Sequence, residues 1–291
     1  MLDNNDKIKI NSDLVVITNT SCNMSCSNCI LLPHKNGEEF VWDKIEERMV
    51  AWSKFLEVES IAIAGGEMFL HPNLDQWFLG LRKLWPNAHI EVPTNGTLIT
   101  DRLDLSRLIC NDPRATLRVS SLHKNTEKWL EIKDKISIVL EPWLDNLRIL
   151  EEDSSIFYCV EDRVLVRFDN IKHFVQPYYQ KVVKNTVHFK MNGDQNKSFK
   201  ICPWHTDFIL QDGLLYHCPA TANYAKTAFT TFLPEVIESF NNFKPVDPLD
   251  GFEIVKQYVE NGKNQSIEVC KHCAYDQQEI EKIYNSELKQ L

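Results

Sequence analysis

Thr20-Ser21-Cys22-Asn23-Met24-Ser25-Cys26-Ser27-Asn28-Cys29 follows directly on the apolar run Leu14-Val15-Val16-Ile17-Thr18. A β-branched run of that length reads as a buried strand, and the cysteines hang from its carboxyl end at the spacing C-x₃-C-x₂-C. Three thiolates on one short loop reach three corners of a metal cluster and leave the fourth open, whereas four-cysteine iron–sulfur sites fill every iron with protein. The competing readings are a zinc site or scattered core cysteines. Zinc sites usually pair C-x₂-C knuckles into four ligands, and only His34 follows closely as a fourth donor.

Outward from the loop, apolar residues switch repeatedly between helical and strand spacing. Trp42 to Leu56 places Ile45, Met49, Trp52, Phe55 and Leu56 on one helix face. Ser60 to Ala64 is a short strand stopped by Gly65-Gly66-Glu67. A helix from Leu74 to Leu84 begins after Asn73, a candidate N-cap. His89 to Pro93 is a strand ending in Thr94-Asn95-Gly96, Asp101 to Cys110 a helix, and Ala115 to Ser120 a strand ending in Ser120-Ser121-Leu122-His123. Helical pattern resumes at Thr126 and breaks near Pro142. Strand, loop and helix repeated four times imply a parallel sheet with right-handed crossovers. Active sites of such barrels sit on the face where strands run into helices, and every unusual loop named above falls there. Beyond it, Phe157–Val160 and Val164–Phe168 read as strands, Val175–Val183 as helical and Thr186–Met191 as extended. Six βα units in an open barrel are expected.

Composition bounds the function. The 291 residues allow one large domain, or a barrel with a small appendage. A net charge of −9 argues against a nucleic-acid surface. No run approaches the roughly 18 apolar residues of a membrane span, and the acidic, polar start from Met1 to Asp6 is no signal peptide. Nine cysteines without a secretion signal point to a reducing, cytoplasmic setting and to metal ligation.

A second cysteine set lies in the last third. Cys202, then Gly213, then Cys218 give C-x₁₀-G-x₄-C, and Cys270-Lys271-His272-Cys273 adds a C-x₂-C pair. Phe208-Ile209-Leu210 and Leu214-Leu215-Tyr216 flank Gln211-Asp212-Gly213, a hairpin signal. That hairpin brings Cys202 and Cys218 together, and Asp250-Gly251-Phe252 to Asn261-Gly262 carries helix signals at both ends, spanning the return to Cys270. A further helix is expected from Asp276. Chemistry alone leaves zinc and a fully ligated [4Fe–4S] cluster equal here. Cys110 and Cys159 read as packing residues.

The cysteine loop, Gly65-Gly66-Glu67 one βα unit later, Thr94-Asn95-Gly96, Ser120-Ser121-Leu122-His123 and the second cysteine set, in this order, resemble the radical S-adenosylmethionine (SAM) superfamily with a C-terminal twitch domain, the shortened SPASM domain. The resemblance covers about Leu14 to Tyr275. It implies an α/β fold: a partial (β/α)₆ TIM-like open barrel over residues 1–195, then a small β-hairpin and helix domain with an auxiliary cluster over 196–291. It implies two [4Fe–4S] clusters, on Cys22, Cys26 and Cys29 and on Cys202, Cys218, Cys270 and Cys273, with SAM on the open iron. Gly65, Gly66, Glu67, Asn95, Ser120 and Ser121 are the expected SAM contacts, Glu67 toward the ammonium group. His123 reads as an acid/base group or a surface residue, and Lys124, Lys128 and Lys133 are candidates to pair with the SAM carboxylate. The implied activity is reductive cleavage of SAM to a 5′-deoxyadenosyl radical that takes a hydrogen atom from a substrate. The auxiliary cluster would accept an electron, as in a dehydrogenase, and an external one-electron reductant such as flavodoxin or ferredoxin would feed the first. About 13 residues precede the first expected strand, too few for a leader-recognition domain. That favours a small-molecule substrate over a peptide; the aromatic stretch from Phe157 to Tyr179 reads either as a pocket lining or as core. A zinc-binding or scaffold protein is the alternative from another class.

Overall fold

A computed structural model describes residues 7–24, 37–121, 126–152, 155–170, 180–183, 186–189, 194–202, 204–223 and 234–273. Four βα units open the chain. Strands β1 (Ile8–Asn19), β2 (Leu56–Gly65), β3 (His89–Thr94) and β4 (Ala115–Ser121) alternate with α1 (Trp42–Phe55), α2 (Leu74–Leu84), α3 (Leu103–Asn111) and α4 (Thr126–Leu140). The helices form because their apolar residues recur at helical spacing and are buried, as with Ile45, Met49 and Trp52 in α1 and Trp77, Phe78 and Leu81 in α2. Asn73 stands at the N-cap of α2, but its side chain makes no cap bond.

After α4 the alternation stops. A 3₁₀ turn over Glu141–Asn146, with Pro142 in its first turn, leads into the antiparallel meander β5 (Leu147–Glu152), β6 (Ser155–Val160) and β7 (Arg163–Asn170). Strand β7 returns parallel to β4. Within the stretch expected to be helical, Gln180–Val183 is instead a strand, β8, paired antiparallel with β9 (Thr186–Phe189). The adjacent β-branched Val182 and Val183 favour that state.

Downstream of the short helix α5 (Gln195–Ile201), β10 (Phe208–Gln211) and β11 (Leu214–Tyr216) form the expected hairpin. Asp212 (φ 55°) and Gly213 (φ 75°) both take positive φ, as a two-residue turn matching the strand twist requires. Strand β10 lies parallel to β1, so the hairpin extends the main sheet. The order is β11-β10-β1-β2-β3-β4-β7-β6-β5, and the two ends do not pair. The sheet is an open partial barrel with six parallel strands. The sixth, β10, adds beside β1 instead of following in sequence.

The helix expected before Cys270 is α6 (Phe252–Asn264), with two differences. Asp250 does not cap it; Asp250 closes a capping box with Asp247 in the preceding 3₁₀ turn. Gly262 does not end it either. A Cβ there would stand 1.9 Å from His217 Cε1, so this glycine is a packing contact. Among the described residues no helix is long and apolar enough to cross a membrane. The expected helix from Asp276 lies outside the described residues.

Candidate functional site at the carboxyl ends of the strands

Strand β1 ends in Thr18 and Asn19, both fully buried, and the chain then enters the cysteine loop. Its two limbs are tied together. Thr20 N donates to Glu38 O (2.9 Å), Phe40 N to Thr18 O (2.9 Å) and Ser21 Oγ to Gly37 O (3.2 Å). The end of β2 then presses against it. Gly66 N donates to Asn19 O (3.1 Å), Glu67 N to Ser21 O (2.8 Å) and Asn19 Nδ2 to Glu67 O (3.0 Å). A Cβ on Gly66 would lie 1.9 Å from Ser21 O, and one on Gly65 2.3 Å from Asn19 O. Both glycines are therefore required by backbone approach to the cysteine loop.

Glu67 is 1% exposed, and its carboxylate accepts three hydrogen bonds. They come from Thr94 Oγ1 (2.6 Å) and Phe69 N (3.1 Å) to Oε1, and from Asn95 N (2.8 Å) to Oε2. Burial raises its pKa against the lowering effect of these donors. A carboxylate offers about four lone-pair sites, so Oε2 retains an acceptor position. The turn Thr94-Asn95-Gly96 thus joins β2 to β3, and it joins the cysteine loop as well. Asn95 Nδ2 donates to Asn23 Oδ1 (2.8 Å), and Asn23 Nδ2 to Thr97 Oγ1 (2.9 Å). Gly96 has φ 79°, and a Cβ would meet Val119 Cγ1 at 2.7 Å.

Cys22 is buried, and its Sγ accepts from Met24 N (3.4 Å). Burial pushes the thiol up; the Met24 N–H acts against this, and the Glu67 carboxylate adds to it. Ionising Cys22 therefore calls for a cation beside it. Cys26 and Cys29 lie outside the described residues, as do His34, His123 and Lys124. Ser120 is half-buried near the end of β4, and Ser121 pairs in register with Asn170. Of the other basic candidates, Lys128 pairs with Glu131 (2.7 Å) on the exposed side of α4, and Lys133 is half-buried.

The inner face of the sheet carries charges that reading for apolar runs missed. Val119 and Phe168 face the helices, Phe168 stacking on Trp129 of α4 at 3.9 Å. By strand alternation, Arg118, Arg167 and Asp169 face the other way. Arg118 donates to Glu91 Oε1 (3.0 Å) and Asp169 Oδ2 (2.7 Å). Asp169 Oδ1 accepts from Arg167 Nε (2.8 Å) and Ser155 Oγ (2.6 Å). Burial alone would raise Asp169; Ser155, Arg167 and Arg118 outweigh it and hold the carboxyl below its usual range. The available signal was a charge inside the apolar strand Leu117-Arg118-Val119.

The second cysteine set converges. Cys202, Cys218, Cys270 and Cys273 line one cavity, together with Trp204, His205 and His217. Cys202 caps the end of α5, and its carbonyl meets His205 Nδ1 (2.6 Å). Cys218 follows β11, and its carbonyl accepts from Thr221 Oγ1 (2.8 Å). Cys270 and Cys273 share a tight 3₁₀ turn, held to α5 by Ser198 Oγ donating to Cys273 O (2.9 Å). Among the described residues no three His, Cys, Asp or Glu side chains close on a single ion. The thiols converge on a cavity and not on a point. Burial pushes Cys202 and Cys270 up to about 12, and proximity to the other thiols adds to the rise. Burial likewise keeps His217 neutral, lowered to about 4. Cys110 and Cys159 are buried away from this cavity, Cys110 against Leu165 O.

Residues 16–153 match the model of the radical SAM superfamily. Over nearly its whole length the fold is similar to that in the crystal structure of BtrN in complex with AdoMet and 2-DOIA. The TM-score is 0.50 at 16% identity, covering 92% of this chain and 94% of that one. Streptococcus suis SuiB bound to the precursor peptide SuiA matches more narrowly, with a TM-score of 0.33 and 18% identity over 46% of this chain and 30% of that one. No curated protein matches by sequence.

Proposed function

We propose that the chain is a radical SAM enzyme acting on a small molecule, with an auxiliary [4Fe–4S] cluster that would take an electron from the substrate radical left by hydrogen-atom abstraction. The observation that carries this is the knot of contacts at the strand ends. Gly65, Gly66 and Glu67 and the turn Thr94-Asn95-Gly96 all close on the loop that bears Cys22, within the residues that match the radical SAM superfamily. Cys22, Cys26 and Cys29 would hold the first cluster. When bound there with SAM, it supplies an electron that yields a 5′-deoxyadenosyl radical able to abstract hydrogen. Around it the protein's own groups bind and orient. The acceptor position on Glu67 Oε2 suits the SAM ammonium group, while Asn95, Ser120 and Ser121 border the same edge. The inward Arg118 and Arg167 offer donors to an oxygen-bearing substrate.

Cys202, Cys218, Cys270 and Cys273 would hold the auxiliary cluster. With four protein ligands such a cluster would leave no iron for substrate, and its role would be outer-sphere electron transfer. The fold likeness to BtrN, whose structure contains 2-DOIA, supports a small-molecule substrate. The test is anaerobic reconstitution with iron and sulfide, followed by a 5′-deoxyadenosine assay over candidate polyol substrates. Brown protein that releases 5′-deoxyadenosine with reductant supports the reading; colourless protein containing zinc overturns it.

A further inference from the structure

The two ends of the open sheet are finished differently. At one end β11 is closed by a bridge to Val246, with Leu215 N donating to Val246 O (3.0 Å) and Val246 N to Leu215 O (3.1 Å). At the other end β5 bonds to β6 on one side and to no further strand among the described residues. It is a bare edge with Ile149 56% and Leu150 48% exposed. Of the eleven large apolar side chains exposed among the described residues, five fall between Leu130 and Leu150: Leu130, Ile138, Leu144, Ile149 and Leu150. Bare apolar edges pair with other strands unless they are blocked.

We propose that β5 is a dimerisation edge, pairing antiparallel with β5 of a second copy across a two-fold axis. The sequence Leu147-Arg148-Ile149-Leu150-Glu151-Glu152 is complementary to itself in that arrangement. In an antiparallel ladder, opposing residues turn their N–H and C=O groups either both toward or both away from each other. In a symmetric pair, opposing residues therefore share parity, and the axis must pass through a residue. With the axis at Leu150, the two leucines meet, and Arg148 faces Glu152 of the partner subunit on either side. All three lie on one face of the strand. With the axis at Ile149, Arg148 would face Leu150 of the partner subunit and no charges would pair. Charge thus selects the register centred on Leu150. Arg148 Nη2 now donates to Glu161 O and lies 3.7 Å from Asp162; both contacts are exposed, so pairing with Glu152 of the partner subunit exchanges them at little cost. An isologous contact of this kind closes at two copies.

The experiment is sedimentation velocity of the full chain from about 1 to 100 µM, the range in which a modest interface dissociates. A concentration-dependent monomer–dimer equilibrium is expected. Arg148→Glu sets like charges against each other twice and should weaken association about tenfold or more. Adding Glu152→Arg to it should restore the wild-type affinity, and Leu150→Glu alone should abolish dimerisation. These positions lie outside the proposed catalytic site, so far-UV spectra and SAM cleavage should not change. A monomer at every concentration overturns the proposal. So does a dimer indifferent to Arg148→Glu, or a double variant as weak as the single one.

Discussion

Glu67 is the residue on which three strand ends meet. It takes hydrogen bonds from Thr94, Phe69 and Asn95 while almost fully buried. The Thr94 hydroxyl can turn, but the N–H groups of Asn95 and Phe69 cannot. In Glu67→Gln one oxygen becomes an amide group facing a fixed donor. We expect a stability loss of about 1–3 kcal/mol in chemical denaturation, with weaker SAM binding by calorimetry and unchanged iron content. Wild-type stability in the variant would count against the hydrogen bonds described. Gly66→Ala has a sharper cause, because its Cβ would overlap Ser21 O; SAM cleavage should fall with the displaced loop. Asp169 gives a pH signature. Its carboxyl is held below the usual range by Ser155, Arg167 and Arg118. Its contribution is therefore present above the unfolded-state value of about 4 and is lost as pH falls through the lower folded-state value. Asp169→Asn should cost about 1–3 kcal/mol at pH 7, with a shrinking cost toward low pH. A penalty independent of pH would show that the charge is not the cause.

The elements divide by how local their cause is. The four βα units were legible because each strand is a short apolar run and each helix an amphipathic one. The hairpin β10–β11 was legible in Asp212-Gly213. The cysteine loop and the glycines after β2 stood out as residues that strands and helices do not need. What escaped reading depends on partners far off in the chain. The pairing of β10 with β1 joins Leu14 to Phe208, and no local pattern announces it. The ion pairs inside the barrel were hidden because an arginine in a strand reads as a solvent-facing residue until Glu91 and Asp169 are seen beside it. The helical reading of the stretch ending at Val183 failed in β8, where strand pairing with β9 prevails. The second cysteine set belongs to this scale too, since α5, β11 and the turn before Cys273 each bring cysteines to one cavity. Cys218→Ala and Cys273→Ala should each remove the same iron complement, with no further loss when combined. Each should stop substrate turnover more than uncoupled SAM cleavage. Two independent half-losses of metal would contradict a shared cluster.

At the scale of the molecule, an open sheet sets two cysteine sets in a continuous frame. The first set follows β1, and β10, hydrogen-bonded alongside β1, leads through β11 to Cys218 of the second. One barrel strand is thus directly tied to the hairpin that carries one of the four thiols to their cavity. The proposed chemistry needs that frame, since hydrogen abstraction at one centre must be followed by electron removal at the other. The most direct measurement is on the triple variant in which Cys22, Cys26 and Cys29 are replaced by alanine, purified and reconstituted anaerobically. The account predicts that 5′-deoxyadenosine formation disappears while about four of roughly eight irons per chain remain on the second set. Undiminished 5′-deoxyadenosine from that variant would contradict it.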